Sequence, residues 1–331
     1  ADSIRFANSG TESVMMAIKA ARAFTERPKI VKIEGSYHGS YDFAEVSLDS
    51  CPDNWGDTPL SVQYAKGTPK SVLDDVIVVR FNNLNDLSNV FDLHGHEIAG
   101  VLIDPLPNRA GLIPADKHYI NHLFSIAKSH GALVIFDEVI SFRLGYSGAQ
   151  GIWGVKPDLT ALGKIIGGGY PVGAIAGRKE VMEVFDPTRG KPALPHGGTF
   201  TANPITMTAG LATMLELTPE RIEKINRLGD ICRSEINKSF SSHGVPGKCV
   251  GMGSLFKLHF IPSAVDDYRT GFVNKDTSKK LNFVHKSLLN KGVFSAGYGL
   301  FALSTPMSDC DIYKICKAVD EAIFELSKTK Q

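Results

Sequence analysis

Four short apolar runs without polar alternation, separated by segments of helical spacing, constrain this chain more than any other feature. Residues 29–33 ("KIVKI"), 76–81 ("VIVVRF"), 99–103 ("AGVLI") and 133–136 ("LVIF") are rich in Val, Ile and Leu and bounded by Gly, Pro or Asp. A strand with one wet face alternates apolar and polar side chains. A near-continuous apolar strand is covered on both faces, as in a parallel sheet layered by helices. The covering segments are present: 12–24 carries Val14, Ile18 and Ala21 at helical spacing, and 117–129 carries Ile120, Phe124 and Ala127. This βαβα alternation predicts an α/β fold, an open and mostly parallel sheet with helices on both faces.

At 331 residues the chain exceeds what one core usually holds. The pattern changes after about residue 215: helices are predicted over 219–241, 278–289 and 309–327, with a strand near 254–260. The expected domains are therefore a large one over 1–217 and a smaller α+β one over 218–331. Strand end and glycine turn arrive by residue 10, so a preceding N-terminal segment is expected. The polar stretch 51–70 reads as a long excursion serving a site or interface.

With 36 basic and 35 acidic side chains, bulk charge recruits neither nucleic acid nor an anionic membrane. No apolar run approaches the roughly 18 residues of a membrane helix, and "ADSIRF" lacks a signal peptide's apolar core. Five cysteines, an odd set without CxxC, indicate neither a disulfide framework nor a metal site. A reducing, cytoplasmic compartment is expected.

Several motifs could carry chemistry. In "DLTALGKIIGGGYPVG" (158–173) Lys164 stands between an apolar run and three glycines. A Walker loop fails here, because Asp158 replaces its first Gly and Ile165 follows the Lys. An amine among Leu162, Ile165 and Ile166 would be disfavoured as a cation and suited to Schiff-base chemistry. The glycines would admit another backbone or a planar cofactor. Read alone, Lys164 is equally a surface charge. In "LVIFDEV" a buried strand ends in Asp137 and Glu138, at the sheet edge where open α/β folds bind ligands; a helix cap is the alternative. "NSGTES" places Ser9, Gly10 and Thr11 at a helix start, as a phosphate site or an ordinary cap. "GSYHGSYD" presents Tyr37 and His38 beside glycines, where an aromatic ring could stack on a cofactor. "HGGTF" (196–200) is a further glycine turn with a hydroxyl, Thr199.

These motifs, with "VLIDPLPNRAGLIP" (101–114), "LVIFDEVISFRLGYSGAQ" (133–150) and "HGGTFTANPITMTAG" (196–210), resemble the class III aminotransferases of the fold type I pyridoxal-phosphate (PLP) enzymes over most of residues 1–217. Within that family the chain is similar to glutamate-1-semialdehyde aminomutases and to β-amino-acid aminotransferases. The resemblance implies that PLP is the cofactor and Lys164 its Schiff-base lysine, which moves the substrate proton. It implies that Asp137 holds the pyridinium nitrogen and that Val139 and Tyr37 flank the ring. Gly10 and Thr11 would bind the phosphate, and Thr199 would reach the neighbouring subunit's phosphate, which makes a homodimer the expected partner arrangement.

Departures from the family pattern bear on substrate. Asp104 stands where Glu is usual, Gly297 where the aminomutases carry a functional Glu, and Tyr298 where β-amino-acid enzymes can offer Arg. Arg143 could serve a substrate carboxylate or a salt bridge. The activity read from all this is transfer of an amino group from an amino acid, a β-amino acid among them, or an amine to a keto acid. An intramolecular amino shift and a non-catalytic PLP-fold protein are the alternatives.

Overall fold

The apolar runs become the interior of a seven-stranded sheet. The computed structural model describes residues 1–188 and 190–329. Its strands β1 (Ser3–Ala7), β2 (Lys29–Ile33), β3 (Val76–Val79), β4 (Ile98–Ile103), β5 (Leu133–Asp137), β6 (Leu159–Gly163) and β7 (Gly173–Gly177) lie in the order β1-β7-β6-β5-β4-β2-β3. From β6 to β3 in that order the strands are parallel. Strands β7 and β1 add an antiparallel edge that hydropathy does not announce. β7 is "GAIAG", in which Ile175 alone carries the bulky branching that marks a strand. Its small residues answer a packing demand: a Cβ on Gly173 would strike the Ser9 carbonyl and the Ser13 hydroxyl.

Helix α1 (Gly10–Thr25) buries Val14, Ala17, Ile18 and Ala21 against the sheet. Its N-cap Ser9 accepts from the Glu12 N–H at 3.1 Å, while Glu12 reaches back to the Asn8 N–H at 2.8 Å. Helices α2 (Leu84–His94) and α3 (Lys117–Ser129) are capped in the same manner by Asn83 and Asp116. Helix α4 (Pro204–Glu216) ends the first of two compact units, Ala1–Pro107 with Ala115–Glu216.

The second unit joins Asn108–Pro114 to the chain from Leu217 onward. Helices α5 (Pro219–Ser242), α6 (Lys275–Asn290) and α7 (Asp309–Lys328) cover an antiparallel sheet ordered β10-β9-β8. These strands are Lys248–Met252 (β8), Leu255–His259 (β9) and Leu300–Ala302 (β10). Strand β9 explains why 108–114 belongs here. Its buried Lys257 donates to the Asn108 carbonyl at 3.1 Å, and His259 Nε2 donates to the Gly111 carbonyl at 2.9 Å. Among the described residues no helix is long and apolar enough to cross a membrane.

Candidate active site

The C-terminal ends of β2, β4, β5 and β6 and the start of α1 enclose a cavity of about 320 Å³ in the first unit. Lys164, Asp137, Asp104, His38, Tyr37 and Gly10 are on its wall. Parallel strands deliver this convergence because all their C-terminal ends open on one edge.

Asp137 is the last residue of β5 and is buried. Its Oδ1 accepts from the Val139 N–H at 3.0 Å, and its Oδ2 lies 2.7 Å from His38 Nδ1. A carboxylate oxygen accepts, so this contact pairs it with an N–H on His38 Nδ1. Burial lowers the His38 pKa, against the opposing pull of Asp137. The neighbouring Glu138 points elsewhere. It accepts from the N–H groups of Ala149 and Gln150 at 2.6 and 3.1 Å and from Gln150 Nε2 at 3.0 Å, fastening the short helix Gly148–Trp153. Burial raises its pKa. The two sequence readings of this carboxylate pair, ligand-facing and helix-capping, are divided between its members.

Lys164 follows β6 in the left-handed region, with φ 47°, a conformation that costs a residue with a Cβ about 1–2 kcal/mol. Its side chain is open to the cavity, yet the surrounding protein strips enough water to lower its pKa, with the charges of Asp137 and Asp104 opposing. The glycines after it admit a backbone. A Cβ on Gly168 would strike the Ala209 carbonyl, and one on Gly210 the Ile166 carbonyl, so α4 packs directly on the turn that carries the lysine. Asp104 is buried and accepts from the Leu106 N–H at 2.9 Å. Burial first, then the nearby Asp137 charge, raise its pKa.

At the opposite corner the first turn of α1 presents the Gly10 and Thr11 N–H groups, which a helix cannot satisfy internally. Gly39, at φ 87°, lies so close that a Cβ would be 2.7 Å from Thr11 Cα. The Ser40 N–H donates to Thr11 Oγ1 at 3.3 Å. A Cβ on Gly10 would stand 2.9 Å from Val139 Cγ1, so Val139 forms a floor against the bare α1 start.

Ser9, Gly10, Thr11, Tyr37, His38, Asp137, Val139 and Lys164 thus share one cavity wall. His38 contributes mainly through Asp137. Ser9 spends its hydroxyl on capping α1. The wall also contains Asn8, Ile140 and the Tyr170–Val172 stretch, which carry no motif of their own beyond adjacency to the glycine turns. Arg143 is not on this wall. It lies in the turn Ser141–Leu144, where burial lowers its pKa. Thr199 is exposed and also off the wall. Tyr298 belongs to the second unit, where its hydroxyl accepts from Asn108 Nδ2 at 3.1 Å.

Residues 1–322 match the family described as Aminotransferase class-III. The glutamate-1-semialdehyde 2,1-aminomutase of Bacillus subtilis (strain 168) is 37% identical over 330 residues, which cover 98% of this chain and 74% of that protein. An omega-transaminase from Sphaerobacter thermophilus superposes with a TM-score of 0.95 at 46% identity, covering 98% of this chain and 74% of its own. A beta-phenylalanine aminotransferase from Variovorax paradoxus gives a TM-score of 0.85 at 34% identity, covering 97% and 70%. With this cavity at the strand ends of a matching fold, the chain belongs to the class-III aminotransferases, PLP-dependent enzymes that carry an amino group from a donor to a keto acceptor.

Proposed function

We propose that this chain transfers an amino group between two separate molecules, with Lys164 as the amine that moves the proton and Asp137 as the counter-ion of the cofactor ring. The observation that carries this is the convergence of the Lys164 amine, the buried Asp137 carboxylate and the α1 N-terminus on one cavity. A planar pyridine bearing a phosphate fits these three points. The Gly10 and Thr11 N–H groups and the positive end of the helix dipole would hold its phosphate. Val139 and Tyr37 would flank its ring, and Asp137 would hold its nitrogen. Gly10 and Gly39 leave the cradle free of side chains that would fill it.

When bound, PLP supplies a protonated ring that takes up the electron pair released at the donor carbon. Asp137, fixed by two hydrogen bonds, keeps that ring nitrogen protonated. Lys164, with its cationic form disfavoured by partial desolvation, takes the proton from the donor carbon and returns it one atom away. Asp104 stands on the same wall. Borohydride reduction of the PLP-loaded protein should leave a pyridoxyl mass on the Lys164 peptide, and Lys164→Ala should lose more than about a thousandfold in turnover. A label on another lysine would sink the assignment.

The donor proposed is a β-amino acid or an amine, supported by the names of the omega-transaminase and beta-phenylalanine aminotransferase relatives. Gly297 offers no carboxylate where the aminomutases have one, which favours transfer between molecules over an internal shift. Supplying β-phenylalanine with pyruvate or 2-oxoglutarate should yield alanine or glutamate. Formation of neither, with conversion of glutamate 1-semialdehyde instead, would reverse the choice. The active form proposed is a homodimer. Phe200, Ile205, Leu211 and Leu215 are exposed on and beside α4, next to Thr199, and a second copy would cover them. A cytoplasmic location accords with five free cysteines.

A further inference from the structure

The run "KIVKI" hides a charge in the sheet. Lys32, on β2, is fully buried, which a lysine tolerates only when its donors are satisfied. Its Nζ donates to three carbonyls, of Val46 at 2.7 Å and of Ile33 and Ser36 at 3.2 Å each. Three acceptors match the three N–H bonds of an ammonium. Burial pushes its pKa down to about 7, while Glu34 opposes that. The three carbonyls add to the opposition by stabilising the charged form.

All three acceptors bracket one loop. The chain leaves β2 at Ile33, carries Tyr37, His38 and Gly39 through the cavity wall, and returns at Val46 beside the same ammonium. The Gly35 N–H closes the loop on the Ser47 carbonyl at 2.9 Å, and Ser50 Oγ holds Glu34 at 3.0 Å. His38 Nε2 is buried without a partner among the described residues, so the ring is steered by one side-chain bond, to Asp137. Its aim depends on where the loop backbone stands.

Resting on the reading of Asp137 as ring counter-ion, we propose that Lys32 is a positioning residue of the cofactor site, its buried ammonium setting the 33–46 loop and thereby aiming His38 at Asp137. The ammonium also acts through space. Its charge opposes a second positive charge on His38. A neutral His38 leaves the Asp137 charge to the pyridinium.

The test uses the full chain, with and without PLP, and the variant Lys32→Met, which keeps an unbranched side chain one atom shorter and removes its donors. Amide hydrogen exchange should rise across 33–47 and stay unchanged across 117–129. The PLP dissociation constant should rise about tenfold, the scale of lost charge-assisted hydrogen bonds. Combined with His38→Gln, the Lys32 substitution should add less than about threefold, because a residue acting through His38 loses its lever when His38 is gone. Unchanged loop exchange, unchanged PLP affinity, or effects that multiply in the double variant would each overturn the proposal. If Lys32→Met does not fold, Lys32→Gln, which retains an amide donor, is measured in its place. Failure of both to fold makes Lys32 a global folding element and overturns a role confined to the loop. If instead the wild-type chain leaves no pyridoxyl mark on Lys164, the reading of the site fails, while the exchange data still decide whether Lys32 holds the loop.

Discussion

Asp137 and Glu138 are adjacent carboxylates and both buried, yet they face different tasks because successive side chains at a strand end point to opposite sides. Asp137→Asn should reduce kcat by about a hundredfold or more, as expected when a preorganised charge facing the reaction is removed. Glu138→Gln should leave kcat within about threefold and lower stability by about 1–3 kcal/mol, since it disturbs three donors on the helix Gly148–Trp153. Steady-state kinetics and denaturant melts of the two variants separate these outcomes, and the reverse pattern would exchange the roles. Gly39→Ala puts a Cβ against Thr11 Cα at a φ that only glycine adopts easily. It should weaken PLP binding at least about tenfold and cost about 1–3 kcal/mol, read by fluorescence titration and thermal melting. That Gly39 stands beside a site is legible in "SYHGS"; that its neighbour is the backbone of α1 is not.

The elements were mostly legible. The predicted helix over 117–129 is observed at the same bounds as α3, and the predicted strands over 29–33 and 133–136 become β2 and β5. Periodicity fails at β7, whose glycines answer close contacts with Ser9 and Leu159. It also conceals the polar face of β9. There His259 is buried and its pKa falls to about 4, with burial the leading cause and the Lys257 charge adding to it. A histidine whose folded pKa lies below its unfolded value binds fewer protons when folded. Its contribution to stability is intact above about pH 6.5, is lost as pH falls from there towards 4, and changes no further below that. The loss is at most about 3 kcal/mol. His259→Gln, which keeps a donor for the Gly111 carbonyl, should flatten the decline between pH 7 and 4 relative to wild type. Parallel stability curves for the two proteins would refute that account of β9.

For the whole molecule, α4 is the informative surface. One face packs on the turn that carries Lys164, while Ile205, Leu211 and Leu215 face outward. If a second copy covers them, Leu211→Glu should shift the protein towards monomer in light scattering and weaken PLP retention, by burying a charge in an apolar contact. A variant that stays dimeric with wild-type affinity would remove α4 from the interface. The sequence alone determined the class of fold, because uninterrupted apolar strands are stable only when covered on both faces. Through four separated motifs it also singled out the lysine, the carboxylate and the glycine turn that share one cavity wall. Tertiary structure decided which of two neighbouring carboxylates meets the cavity, why Lys164 is followed by glycines, and that a lysine within an apolar strand donates to three carbonyls around the loop of His38. Those facts depend on which backbone lies within a few ångströms of which, and contacts between residues distant in sequence leave no periodicity to read.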